Sequence, residues 1–272
     1  MRVMIFDDKS NFDGCLSALN KLREKGDKRF WRIEKYLDFF FNKLKVLPNL
    51  NHDFELIRTY VYTGKYNSNI LTSLNWACKK EIDKMNELIK NENKLLELVS
   101  KLNIEGEAKK RISEHVYNLK EVFQQIKDGH ISTIEKQKRH SEGQKNMFKY
   151  LENLPFLELR TTDLKQARGI IYQKGVDVKI ATDLVHYAHC NSYDIALILG
   201  GDTDLIECIR LIRKGMGKIV IVMAYYNDEP TKSCISPRLI KEADYFYNIA
   251  ELSEEEIKSF SDELRLKEDK VE

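Results

Sequence analysis

From Phe156 onward, short apolar segments alternate with helical periods. FLELR, DIALIL, KIVIVMA and YFYNI are kept apart by IATDLVHYAH, DLIECIRLIRKG and SPRLIKEA. Such short, wholly apolar runs read as strands that need cover on both faces. Helical crossovers between them call for right-handed βαβ units, so the pattern predicts an α/β fold: a parallel sheet with helices on both faces. The N-terminus fits the same scheme. Val3–Phe6 is an apolar strand closed by Asp7 and Asp8, and Phe12, Leu16, Leu19 and Leu22 follow at helical spacing, with Gly26 as a stop. KRFWRIEKYLDFFFNKL reads as a second helix, the stretch around Pro48 as a loop, and FELIRTYVYTG as a strand by its β-branched and aromatic content.

The alternation is interrupted from about Tyr66 to Thr133. Leu71, Leu74, Cys78, Ile82, Met85, Ile89, Leu96 and Val99 recur in threes and fours without a proline. After a break at Ile104–Gly106, Ile112, Val116, Leu119, Phe123 and Ile126 repeat the pattern as far as Asp128-Gly129. Two long amphipathic helices joined by a short turn make a helical hairpin of coiled-coil character. A further polar helix leads from Glu135 towards Pro155. The expected organisation is therefore a discontinuous α/β domain over residues 1–65 and 135–250, an inserted hairpin over 66–134, and a C-terminal helix and tail over 251–272. Ser253 with Glu256 marks the start of that last helix as a capping box.

Composition bounds the partners. The 272 residues carry 45 Lys and Arg against 43 Asp and Glu, so net charge names no partner and a nucleic-acid surface would be a local patch. Five cysteines, widely spaced and without a C-x-x-C, argue against a disulfide framework or zinc ribbon and for a reducing, cytoplasmic setting. No segment reads as a signal peptide or membrane span.

The chemistry-bearing pattern is acidic. Ligands of open parallel sheets bind where strands end at their carboxyl edge. There Asp7 and Asp8 close the first strand, and Asp202 and Asp204 follow DIALIL through Gly200-Gly201. Asp177 and Asp183 lie on the segment leading into the intervening helix. Several carboxylates at one point repel by several kcal/mol, as an order of magnitude, unless a cation joins them. Hard ions such as Mg²⁺ or Mn²⁺ take carboxylate and water oxygens and suit phosphodiester hydrolysis. The structural alternative for Asp202 or Asp204 is an N-cap, for Asp183 a helix-dipole acid, and for Asn11 a cap of the first helix. His186 and His189 lack a partner pair of zinc-ligand spacing, and Gly200-Gly201 lacks a Walker lysine and a G-x-G-x-x-G.

These motifs resemble those of NYN domains, members of the PIN-like nuclease superfamily. RVMIFDDKSNF is similar to that family's strand-one signature, an apolar strand followed by Asp-Gly-x-Asn. QKGVDVKIATDLVHYA is similar to its Lys-Gly-Val-Asp-Val segment with a second Asp six residues on. YDIALILGGDTDLIECIRLIRKGMGKIVIV resembles its Ser-Gly-Asp-x-Asp-Phe strand, turn and helix, and SPRLIKEADYFYNI its usual ending. The resemblance covers about residues 1–65 and 135–250. It implies a PIN-like fold and an Mg²⁺- or Mn²⁺-dependent ribonuclease. By position it assigns Asp8, Asp177, Asp202 and Asp204 as catalytic metal ligands, and Asn11, Lys174 and Asp183 as groups supporting the ligands or touching substrate. Asp7 stands where the family has an apolar residue, Lys9 where it has Gly, Gly200 where it has Ser, and Leu205 where it has Phe. Lys9, beside the site, is the departure with most consequence.

The expected function is a metal-dependent endoribonuclease acting on RNA. Its rival is a non-catalytic PIN-like RNA- or protein-binding regulatory module that assembles through the hairpin. A phosphatase or DNA nuclease built on the same acids is a third reading. The hairpin is a candidate surface for a homodimer, a protein partner or RNA, with Lys109-Lys110-Arg111 and Lys136–Arg139 as basic clusters; a plain structural arm is the competing view.

Overall fold

The computed structural model describes residues 1–21, 23, 27–48, 50, 53–167, 170–229 and 233–263. The chain forms β1 (Arg2–Asp8), α1 (Lys9–Lys21), β2 (Arg29–Trp31), α2 (Ile33–Lys43), β3 (Glu55–Lys65), α3 (Ser68–Lys101), α4 (Gly106–Leu151), β4 (Leu157–Asp163), β5 (Lys165–Ala167) and β6 (Ile170–Tyr172). It continues through α5 (Val176–His189), β7 (Ile195–Leu199), α6 (Ile206–Arg210), β8 (Ile219–Ala224), α7 (Pro237–Glu242), β9 (Tyr245–Asn248), α8 (Glu254–Ser259) and β10 (Ser261–Glu263).

The central sheet has six strands in the order β4-β3-β1-β7-β8-β9. The β1–β3, β1–β7, β7–β8 and β8–β9 pairs are parallel. Phe156 receives the Thr59 N–H and Lys65 that of Leu164, so β4 advances in the same sense as β3. The fold is the α/β, parallel-sheet arrangement expected, with a long helical pair in addition. All five residues of β7, and Val3, Ile5 and Phe6 of β1, are fully buried, as central strands covered on both faces must be. Fold and register follow from burial: Asp7 aligns with Leu199, so Asp8 and Gly200 leave the sheet at one edge. At the opposite edge Arg2 donates its backbone N–H (2.8 Å) and guanidinium (2.9 Å) to Asp194, which ties the starts of β1 and β7.

The chain divides into two compact units. One comprises Met1–Gly64, Phe148–Thr162 and Gln173–Glu272; the other comprises Lys65–Met147 and Asp163–Tyr172. In the second, α3 buries Ile70, Leu74, Cys78 and Val99, and the short β5–β6 pair is antiparallel.

Several elements differ from expectation. Residues 29–31 are a strand rather than the start of a helix, because they pair antiparallel with 261–263. Beyond the capping box at Ser253, residues 261–263 are therefore also strand, not a fraying helix. The second amphipathic helix of the hairpin and the polar helix expected after it are one, since α4 runs through Gly129 without a break. A mid-helix glycine costs only about 1 kcal/mol against alanine, and a 46-residue helix absorbs it. Helix α5 starts at Val176, earlier than its apolar period suggested, after Gly175 in a left-handed conformation (φ +84°). The stop expected at Gly26 lies outside the described residues.

Candidate acidic metal centre

Three carboxylates meet where β1 and β7 end. Asp8 is the last residue of β1, Asp177 sits in the first turn of α5, and Asp202 follows β7 through the Gly200-Gly201 turn. One oxygen from each lies within 4.8 Å of the others. The turn that presents Asp202 needs both glycines. Gly200 has φ +121°, which a side chain would strain, and a Cβ there would come within 3.1 Å of Asn11 Oδ1. At Gly201 a Cβ would fall 2.6 Å from Ile235 Cβ and 2.9 Å from the Cys234 carbonyl oxygen, so there is no room for one. The Gly201 N–H donates to Asn11 Oδ1 at 2.8 Å, and the Asn11 N–H donates to Asp8 Oδ1 at 3.2 Å. Asn11 thus links α1 to both strand ends.

The electrostatics are those of crowded acids. Burial pushes the Asp8 carboxyl up to about 7; the charges of Asp177 and Asp202 push the same way, against backbone N–H groups of Asn11 and Ser10. Asp177 is raised by burial and then by Asp202 and Asp204. The N-terminal dipole of α5 favours a carboxylate there. A compact, all-oxygen, partly buried donor set fits a hard divalent cation such as Mg²⁺ or Mn²⁺, which would remove the mutual repulsion.

The other candidate residues separate. Asp202 also caps the following turn, its Oδ1 accepting the Asp204 N–H at 2.9 Å, so the cap belongs to Asp202. Asp204 is exposed and lies outside the group of three, although its charge reaches Asp177. Asp183 instead accepts from the Tyr62 hydroxyl (2.9 Å) and lies 3.6 Å from Arg160 Nε, on the β3–β4 side of α5. Lys174 is exposed beside the start of α5. Lys9, in place of the family's glycine, pairs with Asp13 one helical turn on, so its ammonium is directed along α1.

Sequence reasoning missed what fixes the site. Ile235 and the Cys234 carbonyl press on Gly201, which only the three-dimensional path of the loop before α7 reveals. Gln173 Oε1 receives both the Ser10 hydroxyl (2.9 Å) and the Gly64 N–H (2.8 Å), joining α1 and β3 just before the Lys174–Asp177 segment. Two cavities are lined by cluster residues or their neighbours. One, of about 430 Å³, is lined by Asn11, Asp202, Thr203, Tyr226, Cys234 and Ser236. The other is a groove of about 1070 Å³ along α5 and α6, lined by Lys174, Asp177 and Asp204 and by apolar Val178, Val185 and Leu211. Beside it the backbone after α6 widens into a π-helical segment, Leu211–Gly215.

Residues 99–251 match the NYN domain family, more than half of the chain. The match begins near the end of α3 and takes in Asp177, Asp202 and Asp204; β1 with Asp8 lies outside it and joins the site by geometry. No curated protein matches the chain. Among solved structures the chain is similar to a protein of unknown function from Vibrio parahaemolyticus RIMD 2210633, with 12% identity, a TM-score of 0.41, and coverage of 91% of this chain and 92% of that one. No helix among the described residues is long and apolar enough to cross a membrane.

Proposed function

The chain belongs to the NYN domain family, and we propose that it is a metal-dependent endoribonuclease that hydrolyses RNA phosphodiester bonds at the carboxylate cluster. The observation that carries this reading is the approach of Asp8, Asp177 and Asp202, from three separate elements, to within 4.8 Å of one another. These three would hold Mg²⁺ or Mn²⁺. When bound, the ion supplies Lewis acidity, offsetting charge on the phosphodiester and lowering the pKa of water.

The chain's own groups do the remaining work. Asn11 and the two glycines hold Asp202 in place, as a preorganised site requires. Asp204, which lines the α5 groove, would take the proton of the attacking water, or join the ligands once a cation is present. Lys174, which lines the same groove, would hold a neighbouring phosphate by charge. Asp183 acts at one remove, through Tyr62 and Arg160. A cavity lined by Asp202 and a groove lined by Asp177 and Asp204 give an RNA strand room beside the cluster, which suits internal cleavage.

The test is incubation of the purified full chain with end-labelled RNA, in Mn²⁺ and in excess EDTA, beside Asp202→Asn. Internal cleavage that requires Mn²⁺ and is lost in the variant is expected. Equal cleavage by the variant, or in EDTA, overturns the reading. DNA and a phosphomonoester in parallel separate the other hydrolases, and a chain that binds Mn²⁺ and RNA but cuts neither nucleic acid is the non-catalytic module.

A further inference from the structure

Outside the carboxylate cluster, two thiols distant in sequence are brought together. Cys15 lies on the inner face of α1 and is fully buried; Cys234 lies on the loop before α7 and is half-exposed on the wall of the 430 Å³ cavity. Both flank the Asn11–Gly201 contact: Cys15 Sγ lies 4.0 Å from Asn11 Oδ1, the Cys234 carbonyl abuts Gly201, and each thiol perturbs the other. The backbone of Tyr225, just after β8, fixes both. Its N–H points at the Cys15 sulfur, and its carbonyl accepts the Cys234 N–H at 3.0 Å. The remaining described cysteines are placed elsewhere: Cys78 on α3, Cys190 at the end of α5 and Cys208 on α6.

We propose that Cys15 and Cys234 form a reversible dithiol–disulfide modification site, closed by hydroperoxides, that clips α1 to the loop packed on the Asp202 turn. The position of the clip follows from neighbours already described. Asn11, one turn before Cys15, holds the Gly201 N–H, and the Cys234 carbonyl abuts Gly201 from the other side.

The pair has the asymmetry that such chemistry needs. The Cys15 side chain lowers Cys234 to about 7, with Lys21 adding to the effect against burial, whereas Cys15 is pushed up by Cys234 and by burial. Cys234, on the cavity wall, is the thiol a hydroperoxide reaches and so the nucleophile; Cys15, fully buried, is the resolving thiol. The Cys234 thiolate attacks one oxygen of a hydroperoxide and breaks the O–O bond. This gives Cys234 sulfenic acid and, with the thiol's proton, an alcohol, or water when the peroxide is H₂O₂. The Cys15 sulfur then attacks the Cys234 sulfur; the S–S bond forms, the S–O bond breaks, and hydroxide leaves with the Cys15 proton as water. Two thiols are oxidised by two electrons in total and one peroxide is reduced.

The test uses the full chain, treated with limiting H₂O₂, alkylated and mapped by peptide mass, and needs no assay of RNA cleavage. The expected result is a Cys15–Cys234 cross-linked peptide that dithiothreitol releases, with the Cys234 thiol lost faster at pH 7 than that of the exposed Cys190. Cys234→Ser should abolish the cross-link and leave Cys15 reduced. Cys15→Ser, or Cys15→Ala where the serine does not fold by circular dichroism, should leave Cys234 as a sulfenic acid that dimedone traps. Cross-linking of Cys234 to Cys190 or Cys208 instead, or oxidation of Cys234 in the wild type with no cross-link, overturns the proposal.

Discussion

Asp7 and Asp8 adjoin on β1 and do different things, because successive side chains of a strand point to opposite faces. Asp8 joins the cluster, while Asp7 is fully buried and accepts the Tyr36 hydroxyl at 2.7 Å. Its other oxygen, Oδ1, meets no donor among the described residues. Burial raises both carboxyls to about 7 from a usual value of 3.8. The folded state thus holds protons that the unfolded chain has released between those values. Their contribution to stability is full below about pH 4 and is lost as pH rises through 7. In metal-free buffer, thermal denaturation should show stability falling across that window. Asp7→Asn, which keeps an acceptor for Tyr36 and removes the charge, should flatten the slope and gain roughly 1–3 kcal/mol at pH 8. A variant with an unchanged slope would contradict the assignment. Metal should act with the opposite sign, since a cation displaces protons from Asp8 and Asp177. The Mn²⁺-induced rise in melting temperature should therefore grow from pH 5.5 to 8, and Asp202→Asn should remove most of it.

At the scale of elements, the turn after β7 and the end of the helical pair each rest on a few contacts. Gly201→Ala must displace Ile235 or the backbone at Cys234, and should cost roughly 1–3 kcal/mol in denaturant unfolding. Lys109, at the start of α4, donates to the carbonyls of Ser100 (2.6 Å) and Leu102 (3.3 Å) at the end of α3. Lys109→Ala should destabilise that junction by about 1 kcal/mol, read as faster amide exchange in the last turn of α3. The central strands were legible because buried parallel strands are apolar along their whole length, and so were the carboxylates at their ends. Residues 29–31 and 261–263 were not: the Arg29 side chain bonds Ser261 across 232 positions, and nothing local announces such a pairing. The run through Gly129 was misjudged for the opposite reason, since a local stop signal is overruled when the helix around it is long. At the site, strand ends pointed to Asp8, Asp202 and Asp204, and the resemblance to NYN domains added Asp177; geometry groups Asp8, Asp177 and Asp202. The contacts that hold the turn come from a loop whose path the sequence does not encode locally.

For the whole molecule, a net charge of +2 on 272 residues gives no long-range pull on RNA, so any electrostatic binding has to be local. The two basic clusters of the long helices differ in this respect. Lys109 is held by carbonyls, Lys110 lies 3.9 Å from Glu114, and Arg111 pairs with Glu107 at 2.6 Å, so the first cluster is largely neutralised at home. Lys136, Lys138 and Arg139 are exposed, and among the described residues no carboxylate pairs with them. Phosphates that displace counterions should therefore favour the second cluster. Replacing Lys136, Lys138 and Arg139 together by alanine in the Asp202→Asn background, where RNA is retained uncut, should weaken binding and reduce the slope of log affinity against log salt by up to about 2 for a single strand. The same replacement at Lys110 and Arg111 should leave the slope unchanged. Filter binding across a salt series distinguishes the two clusters, and equal slopes in both variants would place the RNA on the α/β unit alone.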